Sequence, residues 1–150
     1  MIGVAVLGST GSIGESTLDV LARHPDKFKL VAVGANRNVA KLAAQVLRWR
    51  PAYAVLADEN AARELVQTLA GRVPETRVLA GQDGLIEIAT LRETDCVMAA
   101  IVGAAGLPST LAAARAGKRL LLANKESLDG RAVVDVGSQS VGCDAVADRQ

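Results

Sequence analysis

Aromatic side chains are almost absent from this sequence, which contains one Trp, one Tyr and one Phe in 150 residues. The formal net charge is only +1, so the chain also lacks a surplus of basic residues. Proteins that bind nucleic acid usually combine a basic face with rings that stack on bases. The composition therefore argues against a nucleic-acid partner.

Cysteine is scarce as well, and Cys96 and Cys143 lie far apart without metal-ligand spacing. Cys96 falls in an apolar run and is predicted to be a small core residue. Neither cysteine indicates a disulfide framework, which favours a reducing cytoplasm as the compartment. No apolar stretch approaches the length of a membrane span, and the N-terminus does not resemble a signal peptide, so we expect no membrane association.

Aliphatic residues, by contrast, are plentiful: hydrophobic residues make up 50% of the chain. Short apolar runs alternate with stretches of helical periodicity from residue 1 to about residue 128. The predicted strands are Ile2–Leu7, Phe28–Val33, Tyr53–Leu56, Arg77–Leu79, Cys96–Val102 and Arg119–Leu122. The predicted helices are Ser12–Arg23, Lys41–Trp49, Glu59–Leu69, Asp83–Leu91 and Pro108–Ala116. This alternation predicts an α/β fold, a doubly wound parallel sheet of the Rossmann-like type, over residues 1–128.

A glycine-rich loop, Gly8-Ser-Thr-Gly-Ser-Ile-Gly14, joins the first strand to the first helix. Gly8 allows a tight turn, Gly11 leaves room for a pyrophosphate near the backbone, and Gly14 permits close helix packing. The start of the helix offers free N–H groups to phosphates, and the loop hydroxyls can add hydrogen bonds. The spacing is G-x-x-G-x-x-G, so the alternative is a turn that serves only geometry.

The end of the second strand discriminates between the two nicotinamide cofactors. Sites for NAD place an acidic residue there to bind the ribose 2′-hydroxyl. Here the segment reads Gly34-Ala-Asn-Arg-Asn38, which has no carboxylate. Arg37 suits a 2′-phosphate through bidentate hydrogen bonds, although a solvated surface arginine is the alternative. The sequence therefore favours NADPH.

A polar turn, Asn124-Lys125-Glu126, follows the last predicted strand. In open α/β sheets, ligands bind at the carboxyl ends of the strands. Asn124 can bind the nicotinamide ribose, Lys125 an anionic substrate, and Glu126 a hydroxyl group of either ligand. The alternative is an ordinary helix start with a chance Lys-Glu pair.

Four segments together resemble the family of 1-deoxy-D-xylulose 5-phosphate reductoisomerases. They are the loop at residues 8–14, Ser16-Thr-Leu-Asp-Val20, Met98-Ala-Ala-Ile-Val-Gly-Ala-Ala-Gly-Leu107 and Leu121-Leu-Ala-Asn-Lys-Glu-Ser-Leu128. The resemblance runs from residue 1 to residue 128. It implies an NADPH-dependent oxidoreductase that rearranges and reduces its sugar phosphate to 2-C-methyl-D-erythritol 4-phosphate, in the non-mevalonate route to isoprenoids.

The resemblance also implies a set of site residues. Gly8 and the segment Thr10-Gly11-Ser12-Ile13 would line the NADPH phosphates, and Asn36, Arg37 and Asn38 the adenosine phosphate side. Many members have Gly where this chain has Asn36, so that contact departs from the family pattern. Asn124 and Glu126 would contact NADPH, and Lys125 the sugar phosphate.

The resemblance stops after Leu128, and residues 129–150 are expected to be an aberrant, poorly ordered tail without helical or strand periodicity. Read one nucleotide later, degenerate codons for Gly142 to Gln150 permit G-A-T-L-L-P-I-D-S, which resembles a strand of the family with a metal-site Asp. We therefore hypothesise a single-nucleotide frameshift near codons 128 and 129, with a genuine alternative C-terminus as the other possibility.

Family members use Mg²⁺ or Mn²⁺ and form homodimers, and both properties depend on regions beyond residue 128. The carboxylates of the tail are Asp129, Asp135, Asp144 and Asp148. Their sequence context is wrong for the metal ligands of the family, so we expect no metal site and no catalytic residue in this chain. The chain alone is expected to be inactive as a reductoisomerase, to dimerise poorly and to retain weak NADPH affinity. The alternatives are another small NADP-dependent reductase, such as an aspartate-semialdehyde dehydrogenase-like or dihydrodipicolinate reductase-like protein, or a stand-alone nucleotide-binding module.

Overall fold

The structure, a computed structural model, describes residues 1–101, 103–122 and 133–134. The strands are β1 (Ile2–Leu7), β2 (Phe28–Ala35), β3 (Tyr53–Leu56), β4 (Arg77–Ala80), β5 (Cys96–Ala99), β6 (Arg119–Leu122) and β7 (Val133–Val134). The α-helices are α1 (Ser12–Arg23), α2 (Val39–Trp49), α3 (Glu59–Leu69), α4 (Gly81–Ala89) and α5 (Leu107–Arg115), and a short 3-10 helix spans Gly103–Gly106.

The described strands form one sheet in the order β4-β3-β2-β1-β5-β6-β7. Strands β1 to β6 pair in parallel, and β7 pairs antiparallel with β6. The chain builds outward from β1 to β4 and then crosses to the other side of β1 to form β5. Strand order therefore reverses between β1 and β5, which is where ligands bind in open α/β sheets.

Two apolar layers cover the two faces of this sheet. Helices α1, α2 and α3 contribute Leu18, Leu42 and Leu65 to one layer, and all three side chains are buried. Helices α4 and α5 contribute Ile88 and Ala113 to the layer on the other face. The predicted doubly wound parallel sheet is confirmed.

Most predicted elements lie where the sequence placed them, but β5 is shorter than the predicted Cys96–Val102. Its pairing with β1 ends at Ala99, opposite Leu7, because β1 stops there and the chain turns away at Gly8. Ala100 still donates its N–H to the Leu7 carbonyl at 2.8 Å, but Ile101 has left the sheet.

Strand β7 lies inside the predicted tail, in a segment that shows no strand periodicity. Val133 and Val134 pair with Leu121 and Leu120 of β6. The sequence around these two residues gave no sign of this pairing, which depends on the edge of β6. The rest of residues 129–150 lies outside the described part of the chain.

Cys96 is wholly buried in β5, as predicted for a core residue. The cytoplasmic compartment stays a prediction. Among the helices of the described ranges, none combines the length and the apolar character that crossing a membrane requires.

An exposed ion pair joins the end of α2 to the loop before β4. Arg50 ends α2 in the left-handed conformation, with φ of 49°, and donates to Glu75 Oε2 at 2.8 Å. The guanidinium lowers the pKa of the Glu75 carboxyl below its usual value. Both side chains are about half exposed, so this pair contributes little to stability.

Candidate functional site: a glycine loop at the strand-order reversal

The glycine loop lies at the carboxyl end of β1, beside the point where strand order reverses. The N–H groups of Gly8 and Ser9 both donate to the Gly34 carbonyl near the end of β2, at 2.7 and 3.0 Å. These two bonds fix the loop against β2 before α1 begins at Ser12. The predicted succession of strand, loop and helix is therefore present at the predicted place.

Gly8 and Gly14 occupy positions that exclude any larger side chain. Gly8 has φ of 91°, and a Cβ added to it would lie 2.7 Å from the carbonyl carbon of Ala100 in the neighbouring segment. A Cβ added to Gly14 would lie 2.6 Å from the Cα of Ser9. The structure thus confirms the tight turn expected at Gly8 and the close packing expected at Gly14.

Gly11 differs from these two glycines because it is exposed at the surface. An added Cβ would meet a single neighbour within 4 Å, the Gly8 carbonyl oxygen at 3.7 Å. Gly11 is also the residue that precedes α1, and no side chain caps this helix start. The N–H groups of Ser12, Ile13 and Gly14 therefore have no intrahelical acceptor and remain available to an anion.

A cavity of about 240 Å³ opens next to the loop at the carboxyl edge of the sheet. It is lined by Gly8, Thr10, Ala35, Asn36, Ala57, Gln82, Leu85, Ile101 and Ala105. Thr10 and Asn36, both predicted to contact the cofactor, therefore face one space. Its walls are mostly apolar with a few polar groups, as is usual for small-molecule sites.

Sequence reasoning missed Gln82, which follows β4 and lines the same cavity. Its Nε2 donates to the Ala105 carbonyl at 3.0 Å, and within the described residues its buried Oε1 has no hydrogen-bond partner. The sequence feature that could have identified Gln82 is its position just after a predicted parallel strand, because parallel strands end at the same edge of the sheet.

The segment after β2 carries the remaining described site residues, and all three are exposed. Asn38 caps α2, since its Oδ1 accepts from the N–H of Lys41 at 3.1 Å. Asn36 accepts from the N–H of Asp58 at 2.9 Å through its carbonyl. Within the described ranges, Arg37 has no ion-pair partner.

The carboxylate of Asp58, at the end of the neighbouring strand, is already engaged. Its Oδ1 accepts from the N–H groups of Asn60 and Ala61 at 2.9 and 3.3 Å and so caps α3. The segment from Gly34 to Asn38 contains no acidic residue of its own. Arg37 is therefore the one charged side chain of the segment from Gly34 to Asn38, and it is exposed.

A second groove, of about 270 Å³, lies between α1 and α2 and is slightly larger than the cavity. It is crossed by an ion pair between Lys41 and Glu15 at 2.5 Å and is bordered by Trp49. It offers neither a row of free N–H groups nor a strand end. The smaller cavity beside the glycine loop is therefore the candidate site.

Two predicted features fall outside the described residues. Asn124, Lys125 and Glu126 follow β6, whose parallel pairing with β5 directs its carboxyl end to the same edge as the glycine loop. The tail carboxylates, from Asp129 onward, also lie outside. In the described part of the chain, no three His, Cys, Asp or Glu side chains are grouped so that they can hold a metal ion.

A parallel sheet with a strand-order reversal, a glycine loop and an uncapped helix start defines a dinucleotide-binding domain of the Rossmann type. The sequence matches the family model of 1-deoxy-D-xylulose 5-phosphate reductoisomerase over residues 4–129. The chain therefore belongs to this reductoisomerase family. The match decides against the aspartate-semialdehyde dehydrogenase-like and dihydrodipicolinate reductase-like alternatives.

Relatives of the same name support the assignment. The chain is 60% identical over 128 residues to the protein of Nitrosococcus oceani, which covers 85% of this chain and 33% of the relative. It is 53% identical over 148 residues to the protein of Aromatoleum aromaticum, which covers 95% of this chain and 37% of the relative. The chain thus spans about one third of the length of these relatives.

Solved structures give the same picture. A DOX-P reductoisomerase in complex with NADPH, fosmidomycin and magnesium is 45% identical, with a TM-score of 0.79, and the match covers 87% of this chain and 32% of that one. The Zymomonas mobilis enzyme in complex with NADPH is 47% identical, with a TM-score of 0.75, over 86% of this chain and 33% of that one.

Proposed function

We propose that this chain is the NADPH-binding portion of a 1-deoxy-D-xylulose 5-phosphate reductoisomerase. The observation that carries the proposal is the start of α1 at Gly11, which no side chain caps and where an added Cβ would meet only the Gly8 carbonyl oxygen within 4 Å. Such a helix start attracts phosphate, and a cavity lined by Thr10 and Asn36 opens beside it. The solved relatives that bind NADPH support this assignment.

In this proposal the backbone of Thr10 to Ile13 binds the pyrophosphate, with Gly8 and Gly11 leaving it room. Arg37 binds the 2′-phosphate, flanked by Asn36 and Asn38. A guanidinium forms charge-assisted, bidentate hydrogen bonds to phosphate, whereas NADH offers it only a hydroxyl group. When bound, NADPH supplies the hydride for the reduction.

Asn124 and Glu126 complete the cofactor site in this proposal, and Lys125 binds the sugar phosphate. The substrate of the whole enzyme is 1-deoxy-D-xylulose 5-phosphate, and its product is 2-C-methyl-D-erythritol 4-phosphate. The described residues do not fit the divalent metal that the family uses, because they contain no grouped ligands. We therefore assign no metal-dependent step to this chain and expect no turnover of the sugar phosphate by the chain alone.

Replacing Arg37 by Ala tests the cofactor assignment. We expect NADPH affinity to fall by about tenfold or more, because a hydrogen bond to a charged group contributes about 1.5–3 kcal/mol. NADH affinity should remain unchanged, because NADH lacks the 2′-phosphate. Titration calorimetry with both cofactors measures the two affinities.

The matched control is Arg23→Ala, which removes an exposed guanidinium from the last turn of α1, away from the loop. This variant should bind both cofactors as the unmodified chain does. An Arg37→Ala chain that keeps its preference for NADPH would overturn the role of Arg37. An unmodified chain that binds neither cofactor would overturn the proposed function.

A further inference from the structure

A buried glutamine of α2 contacts the backbone of the glycine loop. Gln45 is only 8% exposed, and its Nε2 donates to the carbonyl of Ser9 at 2.7 Å. Ser9 itself is wholly buried. The contact joins residues 36 positions apart in sequence, so it is a tertiary link rather than part of a turn.

Both backbone polar groups of Ser9 are thereby held. Its N–H donates to Gly34 of β2, and its carbonyl accepts from Gln45 of α2. These are the two elements that flank residues 36–38, since β2 ends at Ala35 and α2 begins at Val39. The glycine loop and the segment that carries Arg37 are therefore positioned by the same two elements.

Stability alone does not account for a glutamine at this position. In the described part of the chain, Gln45 Oε1 and Ser9 Oγ are both buried without a hydrogen-bond partner. An unpaired buried polar group is unfavourable, and an apolar side chain of similar size avoids that cost. In the Gln45 amide, Nε2 is therefore hydrogen-bonded, whereas Oε1 is buried without a partner among the described residues.

We infer that Gln45 is a positioning residue that sets the distance between the phosphate-binding loop and Arg37, and hence the preference for NADPH over NADH. The inference rests on the proposed function. NADPH must contact the phosphate-binding loop and Arg37 at the same time, whereas NADH, which lacks the 2′-phosphate, contacts the loop alone. Loss of the Gln45 contact therefore penalises NADPH more than NADH.

The ion pair between Glu15 and Lys41 links α1 to α2, but it does not replace the contact between Gln45 and the loop. Its side chains are 42% and 49% exposed, and exposed pairs are weak and screened by salt. Gln45 is thus the buried link between α2 and the loop.

The test compares Gln45→Met with Val46→Ala in the full chain. Methionine keeps the length of the side chain and removes the donor, together with the unpaired oxygen. Val46 is wholly buried in the same helix and packs in the core on the α1, α2 and α3 side, so its truncation destabilises the fold while leaving the Gln45 contact in place.

We expect Gln45→Met to lower the NADPH-to-NADH affinity ratio by about tenfold, as for one weakened charge-assisted bond. Val46→Ala should lower the unfolding temperature and leave the ratio unchanged.

Amide hydrogen exchange without cofactor gives a second measurement, which is independent of NADPH binding. Gln45→Met should speed exchange at residues 8–14 selectively, whereas Val46→Ala should speed exchange across the sheet and helices. Unchanged loop exchange in Gln45→Met overturns the inference. An unchanged NADPH-to-NADH affinity ratio in Gln45→Met also overturns the inference. If the unmodified chain does not bind NADPH, the proposed function is overturned, and the role of Gln45 in selectivity is overturned with it.

Discussion

At the scale of single residues, the three glycines of the loop have different surroundings. Gly8 and Gly14 lie where an added Cβ would contact backbone atoms, at Ala100 and Ser9 respectively. Gly11 borders open space at the uncapped end of α1. The first two glycines therefore serve the fold, and the proposed role of the third is to leave room for the ligand.

Alanine at Gly14 and at Gly11 should separate these two roles. Gly14→Ala should lower the free energy of unfolding by about 1–3 kcal/mol or more, because the backbone must shift to admit the methyl group. Gly11→Ala should cost less than about 1 kcal/mol, yet weaken NADPH binding because the methyl group occupies the approach of the phosphates. Urea unfolding and NADPH titration measure the two effects, and equal loss of stability in both variants would contradict this assignment.

At the scale of elements, the sequence predicted β1 and α1 with the bounds that the structure gives them. Glycine separates these elements, and the helix has clear apolar periodicity. Helix α2 begins at Val39 rather than at the predicted Lys41, because the Asn38 side chain caps it two residues earlier. A cap of this kind is visible in the sequence only as a polar residue, without its partner.

Other features required knowledge of which elements are neighbours. The shortening of β5 follows from where β1 ends, which no local pattern around Cys96 reveals. Gln45 looks like one polar residue in an amphipathic helix, and its contact with Ser9 depends on the packing of α2 beside the loop. The place of the loop between β1 and α1 was therefore predictable from the sequence, whereas the contacts that position the loop were not.

The cap of α3 is a second element-level feature that can be tested. Asp58 accepts hydrogen bonds from two N–H groups of the first turn of α3. Asp58→Ala should lower the free energy of unfolding by about 0.5–2 kcal/mol. Gln67→Ala, an exposed change in the same helix, should alter it by less than about 0.5 kcal/mol. Chemical denaturation measures the free energy of unfolding of both variants. An equal loss in the two variants would exclude a capping role for Asp58.

At the scale of the whole molecule, the chain spans about one third of its relatives. The family model ends at residue 129, next to the predicted boundary at Leu128. The Aromatoleum aromaticum relative, however, matches 95% of the chain and so extends into residues 129–150. This longer match weighs against a tail wholly unrelated to the family, and the frameshift and the domain boundary stay proposals that the gene sequence across codons 128 and 129 decides.

The expected absence of turnover by the chain alone is also a prediction about the whole molecule. An assay with 1-deoxy-D-xylulose 5-phosphate, NADPH and Mg²⁺ should show no NADPH oxidation above background. The full-length Nitrosococcus oceani relative serves as the positive control. Measurable turnover would show that this chain contains a metal site beyond the described residues.

The most direct test of NADPH binding is to map it on the isotope-labelled chain by amide chemical shifts in nuclear magnetic resonance. We predict saturable shifts that are largest at residues 10–13 and 36–38, with a smaller response from NADH at 36–38. Shifts concentrated instead in the groove between α1 and α2, around Trp49, or no saturable shifts at all, would contradict the assignment of this chain as an NADPH-binding domain.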